Sequence, residues 1–252
     1  TGGSGKGVNY KYVVTKDNQT VAAQEFGPIS ELTFIPVSSG EYQFSVYVVD
    51  AISDNQYDSV FSRTLLVTDK ASITGTTVDK NVALINDTIS LNAEAASSNN
   101  MYRYVVQKDG VVVYTRDYDS NSALQFVPLQ SGSYTAEVYA KDVLSPNNYD
   151  DVKSVTFEVY NPQLDTVNAK GYFYEQKPVE LITNSTGASP SGFSYKYEVY
   201  YGGNLVTSSN FSNSGSFTFT PSTAGNYVVK VYGLDGISTK AYDSVKQFEI
   251  VI

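Results

Sequence analysis

Apolar and polar positions alternate along most of the chain. In Tyr134-Thr135-Ala136-Glu137-Val138-Tyr139-Ala140-Lys141 every second residue faces one way, and in residues 153–159 the apolar set is Val155, Phe157 and Val159. A period of two belongs to a strand with one face buried, whereas no stretch shows the 3.6-residue spacing and caps of a helix. Tyr, Val, Thr and Phe fill these stretches, and Asp109-Gly110 and Gly202-Gly203 interrupt them with residues suited to tight hairpins. In the middle of the chain the pattern predicts strands around Ile73 and over 88–95, 102–107, 111–115, 123–127, 134–141 and 152–159. Seven short strands at this spacing predict an all-β sandwich of the immunoglobulin or fibronectin III kind.

The pattern repeats. Tyr10-Lys11-Tyr12-Val13-Val14 returns as Tyr102-Arg103-Tyr104-Val105-Val106 and as Tyr195-Lys196-Tyr197-Glu198-Val199. Phe34-Ile35-Pro36 returns as Phe126-Val127-Pro128 and Phe219-Thr220-Pro221, and Gly40-Glu41-Tyr42 as Gly132-Ser133-Tyr134 and Gly225-Asn226-Tyr227. Tyr57-Asp58-Ser59-Val60 has its counterparts in Tyr149-Asp150-Asp151-Val152 and Tyr242-Asp243-Ser244-Val245. Each landmark moves by 92 positions and then by 93. Such constancy predicts three tandem sandwiches: copy 1 over 1–68, copy 2 over 69–160 and copy 3 over 161–252. Thr1 is level with Ala93, so copy 1 lacks its N-terminal strands. The expectation is an open sheet edge in copy 1, a natural protein that continues upstream, and a strand-exchange dimer through that edge. Val67-Thr68-Asp69-Lys70 and Val159-Tyr160-Asn161-Pro162 leave no flexible linker at the junctions.

Composition removes several chemistries. The 252 residues contain no His, Cys or Trp. A Ser-His-Asp triad, a thiol nucleophile, a disulfide and a zinc site of the usual kind are therefore excluded. The net charge of −9 makes nucleic acid a poor partner. No leader and no apolar run long enough to cross a bilayer is evident, so direct membrane insertion is not expected. The 26 acidic residues keep carboxylate chemistry open, but a glycosidase needs two acids facing each other across a cleft, and here the acids recur at turns. No enzyme activity and no cofactor are expected.

The paired Tyr-x-Tyr, the Gly-x-Tyr and the Val-Tyr-x-x-Asp of each copy resemble the three-Y, or triple-tyrosine, domain of bacteria. That resemblance covers nearly the whole chain. It implies one of two settings: the end of a sensor ectodomain of a two-component regulator, or tandem modules of surface and secreted proteins, some of which carry cell-wall hydrolase domains. No propeller repeats precede the copies, which favours the second setting and an extracellular or cell-surface location.

Three sets of residues are candidates for a role. Tyr42, Tyr134 and Tyr227 open the sixth strand where such sandwiches place a tyrosine corner, a phenol bonded back to the turn before it. Tyr47, Tyr139 and Tyr232 fall on the outward face of the same strand, beside Lys11, Arg103 and Lys196, with Tyr200 and Glu198 added in copy 3. They read either as rings packed over basic stems or as an aromatic platform for sugars, with Tyr200 and Tyr232 the leading pair. Asp142, Asp150 and Asp151, near Asn147 and Asn148, read either as turn-closing side chains or as a calcium site, without the regular spacing of a dedicated calcium loop. The function expected is a non-catalytic spacer and adhesion stalk. The alternatives are a module binding peptidoglycan or host glycan beside a wall hydrolase, a module binding another protein, and a sensor ectodomain module.

Overall fold

The computed structural model describes residues 3–252, so the first two residues of copy 1 lie outside the described residues. Every regular element among them is a strand. The chain forms two compact units: one holds Thr1–Ser72 with Ser97–Asn100 and Lys141–Asp150, the other Ile73–Ala96, Met101–Ala140 and Asp151–Ile252.

Copy 1 provides β1 (Val8–Lys16), β2 (Gln19–Gly27), β3 (Gly40–Asp50) and β4 (Ser59–Val67). They form one antiparallel sheet in the order β2-β1-β3-β4. Copy 2 provides β5 (Ile73–Val78), β6 (Val82–Leu84), β7 (Ile89–Ala95), β8 (Asn100–Lys108), β9 (Val111–Asp119), β10 (Ala123–Phe126), β11 (Gly132–Asp142) and β12 (Asp151–Tyr160). Here two sheets face each other, β10-β7-β5 and β6-β12-β11-β8-β9. Copy 3 provides β13 (Gln163–Gly171), β14 (Val179–Thr186), β15 (Phe193–Tyr201), β16 (Asn204–Ser208), β17 (Ser216–Phe219), β18 (Asn226–Asp235) and β19 (Ser244–Val251), as sheets β13-β14-β17 and β16-β15-β18-β19. A three-stranded sheet of the first, second and fifth strands opposite a sheet of the third, fourth, sixth and seventh is the architecture the alternation predicts. The short strand β6, which runs parallel to β12, was not predicted: three residues carry too little pattern to be read.

The same turn chemistry recurs in each copy. Asp17 and Asn18 both have positive φ, 51° and 61°; Asp109 and Gly110 have 48° and 80°; Gly202 and Gly203 have 55° and 81°. Positive φ at both central residues of a two-residue loop is the type I′ turn whose twist matches the flanking strands. The edge strand after this turn is offset by a register shift at the same place in all three copies, between Val14 and Thr15, between Val106 and Gln107, and between Val199 and Tyr200. A bulge there twists the edge and discourages pairing with another chain.

Aromatic rings fill the cores. Tyr134 and Phe157 stack with centroids 5.2 Å apart, and Phe126 of the opposite sheet lies 5.7 Å from Tyr134. In copy 3 the buried Tyr197 stacks on Phe217 at 5.3 Å. Buried phenols need partners. Tyr104 donates to Ser122 O, Tyr197 to Thr183 Oγ1 at 2.9 Å, and Tyr195 pairs with Ser185 Oγ at 2.7 Å. Tyr42, Tyr134 and Tyr227 donate to Ser38 O, Gln130 O and Thr223 O at 2.8, 2.8 and 2.9 Å, each reaching four residues back. This is the geometry of a tyrosine corner, and it holds the loop before the sixth strand against the core.

Copy 1 has no counterpart of β5 and β7, which in copy 2 belong to the smaller sheet. Its edge strands β2 and β4 correspond to β9 and β12, or β16 and β19, which end the same sheet in copies 2 and 3 apart from the short β6. The segment level with β10 therefore lacks its strand partner, and the inner face of the larger sheet lacks part of its cover. Residues 29–35, level with β10, form no strand among the described residues, because the strand that β10 pairs with has no counterpart. Leu65 is 49% exposed, whereas Phe157, level with it, is 2% exposed.

Substituting Tyr134→Phe or Tyr227→Phe removes one hydrogen bond of a buried phenol without opening a cavity. Urea unfolding should show a loss of about 1 kcal/mol for each, roughly additive because the two lie in separate cores.

Candidate functional site

The outward face of the larger sheet carries the predicted tyrosine–cation pairs, and strand register explains why. Lys11 lies opposite Tyr47 in the β1–β3 pairing, and Lys196 opposite Tyr232 in β15–β18. The Arg103 guanidinium lies over the Tyr139 ring at 5.6 Å, and Lys196 Nζ over the Tyr232 ring at 5.5 Å. Such stacking of cation on ring stabilises by about 0.5–1 kcal/mol at exposed sites.

Copy 3 has the most elaborate of these patches. Glu198 accepts hydrogen bonds from Lys196 Nζ at 2.7 Å, from the Tyr200 phenol at 2.7 Å and from the Tyr232 phenol at 3.0 Å. The bonds from Lys196 and then Tyr200 hold the Glu198 carboxyl below its ordinary range. Burial, reinforced by the bond to Glu198, pushes the Tyr232 phenol up to about 12. The same carboxylate raises Tyr200. Lys230 Nζ lies over the Tyr200 ring at 5.2 Å, and Tyr242 packs edge-on against Tyr232 at 5.2 Å. Tyr200 and Tyr232 thus do come together, but their hydroxyls converge on Glu198 and each ring has a cation over it. In copy 2, Tyr139 donates to Glu137 Oε2 at 2.8 Å.

Copy 1 is more open. Lys11 pairs with Glu25 at 2.9 Å, which sequence reasoning missed because Glu25 sits on the neighbouring edge strand β2. Tyr47 meets Tyr57 edge-on at 5.1 Å. Together with Val13, Phe26 and Gln56 these residues line a depression of about 370 Å³. Phe26 and Tyr57 are exposed, so aromatic surface is available to a ligand here.

The repeated aspartates close the last hairpin. Asp58 Oδ2, Asp150 Oδ2 and Asp243 Oδ2 accept the backbone N–H of Asp50, Asp142 and Asp235 at 2.7, 2.8 and 2.8 Å. The hydroxyls of Ser53, Ser145 and Ser238 donate to the other oxygen at 2.5, 2.5 and 2.7 Å. The first aspartate of each pair accepts the N–H two residues on, from Ile52, Leu144 and Ile237. The serines were missed, although Asp-x-x-Ser recurs at the same offset in every copy. In copies 1 and 3 the first aspartate also holds a serine, Ser4 or Ser189; Ala96 stands at that position in copy 2, and Thr68 Oγ1 donates to Asp142 at 2.9 Å instead.

The carboxylates weighed as a calcium site take part in the same bonding. Asp151 accepts from Ile73 N at 2.7 Å and Val152 N at 2.8 Å. Burial opposes ionisation of Asp150, but donors from Ser145, Asp142 N, Asn147 and Ala71 N outweigh it and bring its pKa down to about 2. The Ser53 hydroxyl, Asn55 and Asp50 N lower Asp58 in the same way. Among the described residues no group of three or more acidic side chains is arranged to hold a metal ion.

Topology and site together define a tandem array of fibronectin III-like β-sandwich modules, with copy 1 represented by the larger sheet alone. The chain belongs to the family described as the Y_Y_Y domain, which matches residues 1–66, 94–160 and 186–252. The matches begin at the ends of β7 and β14, so the family pattern resides in the larger sheet and the fifth strand. A solved structure similar to this chain is the crystal structure of chicken CNTN1 FN1-FN3 domains, at 8% identity and a TM-score of 0.32, over 99% of this chain and 90% of that one. A search of curated proteins returns no match.

Two titrations test the electrostatics. Asp150 has a folded pKa near 2 against 3.8 for the free group, so the stability it confers is present above pH 3.8 and lost as pH falls toward 2. Asp150→Asn should be less stable at neutral pH and should flatten that acid limb in denaturation followed by circular dichroism. Tyr232 titrates near 12 against 10, so its contribution is present below pH 10 and lost as pH rises toward 12. Tyr232→Phe should flatten the alkaline limb, and an unchanged limb would show that the phenol ionises as freely as in the unfolded chain.

Proposed function

We propose that the chain is a non-catalytic spacer and adhesion stalk of an exported or surface protein, divided into the copies 1–68, 69–160 and 161–252. The observation that carries this reading is what repeats. The I′ hairpin, the tyrosine corner and the aspartate–serine closure recur in all three copies, and all of them are devices that hold a sandwich together. The aspartates that recur in every copy are engaged in closing turns. The outward tyrosine and the cation beside it recur as well, but the acid around them changes from copy to copy, Glu25 in copy 1, Glu137 in copy 2 and Glu198 in copy 3. Membership of the Y_Y_Y family supports an extracellular setting. No helix among the described residues is long and apolar enough to cross a membrane.

A second reading, an adhesive site for cell-wall or host glycan, is favoured by the copy 1 depression. Its walls Tyr47, Tyr57 and Phe26 offer ring faces and edges on which the apolar C–H face of a sugar packs, with Gln56 at hand for hydroxyls. The platform in copy 3 suits this less, because Lys196 and Lys230 already cover its rings.

Pulling the chain from its two ends tests the stalk. Each complete copy of 92 residues should yield in a separate step, lengthening the chain by roughly 300 Å as it extends. Merged steps, or yielding without measurable force, would rule the role out. Retention on purified cell wall or a glycan array separates the second reading: binding lost in the variant Tyr47→Ala/Tyr57→Ala at unchanged Tm would establish it, and absence of any retention would remove it.

A further inference from the structure

In copies 2 and 3 the outward tyrosine of the sixth strand gives its phenol to an acid of its own copy. Tyr139 donates to Glu137 Oε2 at 2.8 Å, and Gln107 Nε2 reaches the same oxygen at 3.3 Å. Tyr232 donates to Glu198 Oε2 at 3.0 Å, while Lys196 Nζ bonds the other oxygen at 2.7 Å. Copy 1 has neither acid. Ser45 stands level with Glu137, and Val13 with Glu198. Ser45 turns to Ser62, Oγ to Oγ at 2.8 Å, and Val13 lines the depression of about 370 Å³ beside Lys11 and Tyr47.

The backbone under these groups is the same in both copies: Lys11 lies opposite Tyr47 as Lys196 lies opposite Tyr232. Copy 3 therefore shows where a carboxylate sits when a lysine and a phenol at these two positions share it. Lys11 does hold a carboxylate, but one that comes from the edge strand. The Glu25 side chain is 77% exposed, against 14% for Glu198. An ion pair so open to water contributes little and is easily exchanged for another. The openness is not peculiar to the first copy in the chain. Tyr57, at the wall, is 42% exposed, and Tyr149 and Tyr242, level with it in copies that follow another copy, are 47% and 43% exposed.

We propose that the copy 1 depression takes a sugar that carries a carboxylate, a uronic acid unit of a glycan, with that carboxylate between Lys11 and Tyr47 where copy 3 holds Glu198. The proposal rests on the reading of this depression as a glycan site and names the kind of sugar. Phe26, Tyr47 and Tyr57 then flank the apolar C–H face of the ring, and the Gln56 amide meets its hydroxyls. An acidic peptide would offer these three rings only the short stem of its side chain.

The test titrates the intact chain, by calorimetry, with oligomers of galacturonic, glucuronic and mannuronic acid, each beside its uncharged methyl ester. At least one acid should bind about tenfold or more tighter than its ester, the margin of a charge-assisted hydrogen bond. Lys11→Met keeps the stem and Tyr47→Phe keeps the ring, so each should narrow that margin and leave ester binding as it was. Val13→Glu, which builds the acid of copy 3 into copy 1, should abolish acid binding. Glu25→Gln, which removes the competing carboxylate, should tighten it. Equal binding of acid and ester, both lost in Tyr47→Ala/Tyr57→Ala, overturns the proposal and leaves the glycan reading standing. So does retention of neutral glycans alone, whereas retention of no sugar at all overturns both. A glutamate oligomer that binds as tightly as the acid sugars also overturns it, since the partner is then an acidic peptide.

Discussion

A β-sheet built from alternating sequence has one apolar face, and that face is stable only against something else. In copies 2 and 3 the something else is a second sheet, and the rings of Tyr134, Phe157 and Phe126, or of Tyr197, Tyr227 and Phe219, fill the space between. Everything described depends on this apposition. It fixes which side chains point outward, hence where the tyrosine–cation pairs sit. The family match covers the same strands in all three copies.

Aromatic cores made of tyrosine rather than phenylalanine bring a polar atom into every layer, and the structure handles each one locally. Burial raises the pKa of Tyr104 to about 12 and raises Tyr134 and Tyr197 as well, so these groups stay protonated donors through any ordinary pH. Each phenol then finds a carbonyl or hydroxyl of a neighbouring loop or strand. The directional bond limits how the two sheets slide, a constraint that an all-aliphatic core of equal volume would lack. The aspartate–serine closures do the same at the other end of the sixth strand. Together they pin both ends of that strand in each copy.

Most of the fold was legible because period-two alternation and a constant repeat spacing are long-range signals. The seven strands expected in copy 2 all exist, within two residues at nearly every end except the fourth, which runs on to Asp119. The register that sets Lys196 opposite Tyr232 was also readable, since residues on one face of neighbouring strands follow from the hairpin geometry. What could not be read were side-chain terminations. Glu198 gathering two phenols and an ammonium, or Glu25 reaching Lys11 from an edge strand, depends on rotamers and not on spacing. The place of the strands that copy 1 lacks is a related case. Sequence shows which strands lack counterparts, but only the sheet order shows that the missing strands belong to the opposite sheet and not to this one.

The same alternation separates the two surfaces of copy 1 at single-residue resolution. Along β1, Lys11 and Val13 belong to the outward depression, while Tyr12 and Val14 belong to the apolar side. Along β3, Tyr47 faces outward and its neighbours Val46 and Val48 face inward. A sheet only one residue thick therefore presents a polar, aromatic-walled hollow on one side and an apolar surface on the other, with no core between them to insulate one from the other.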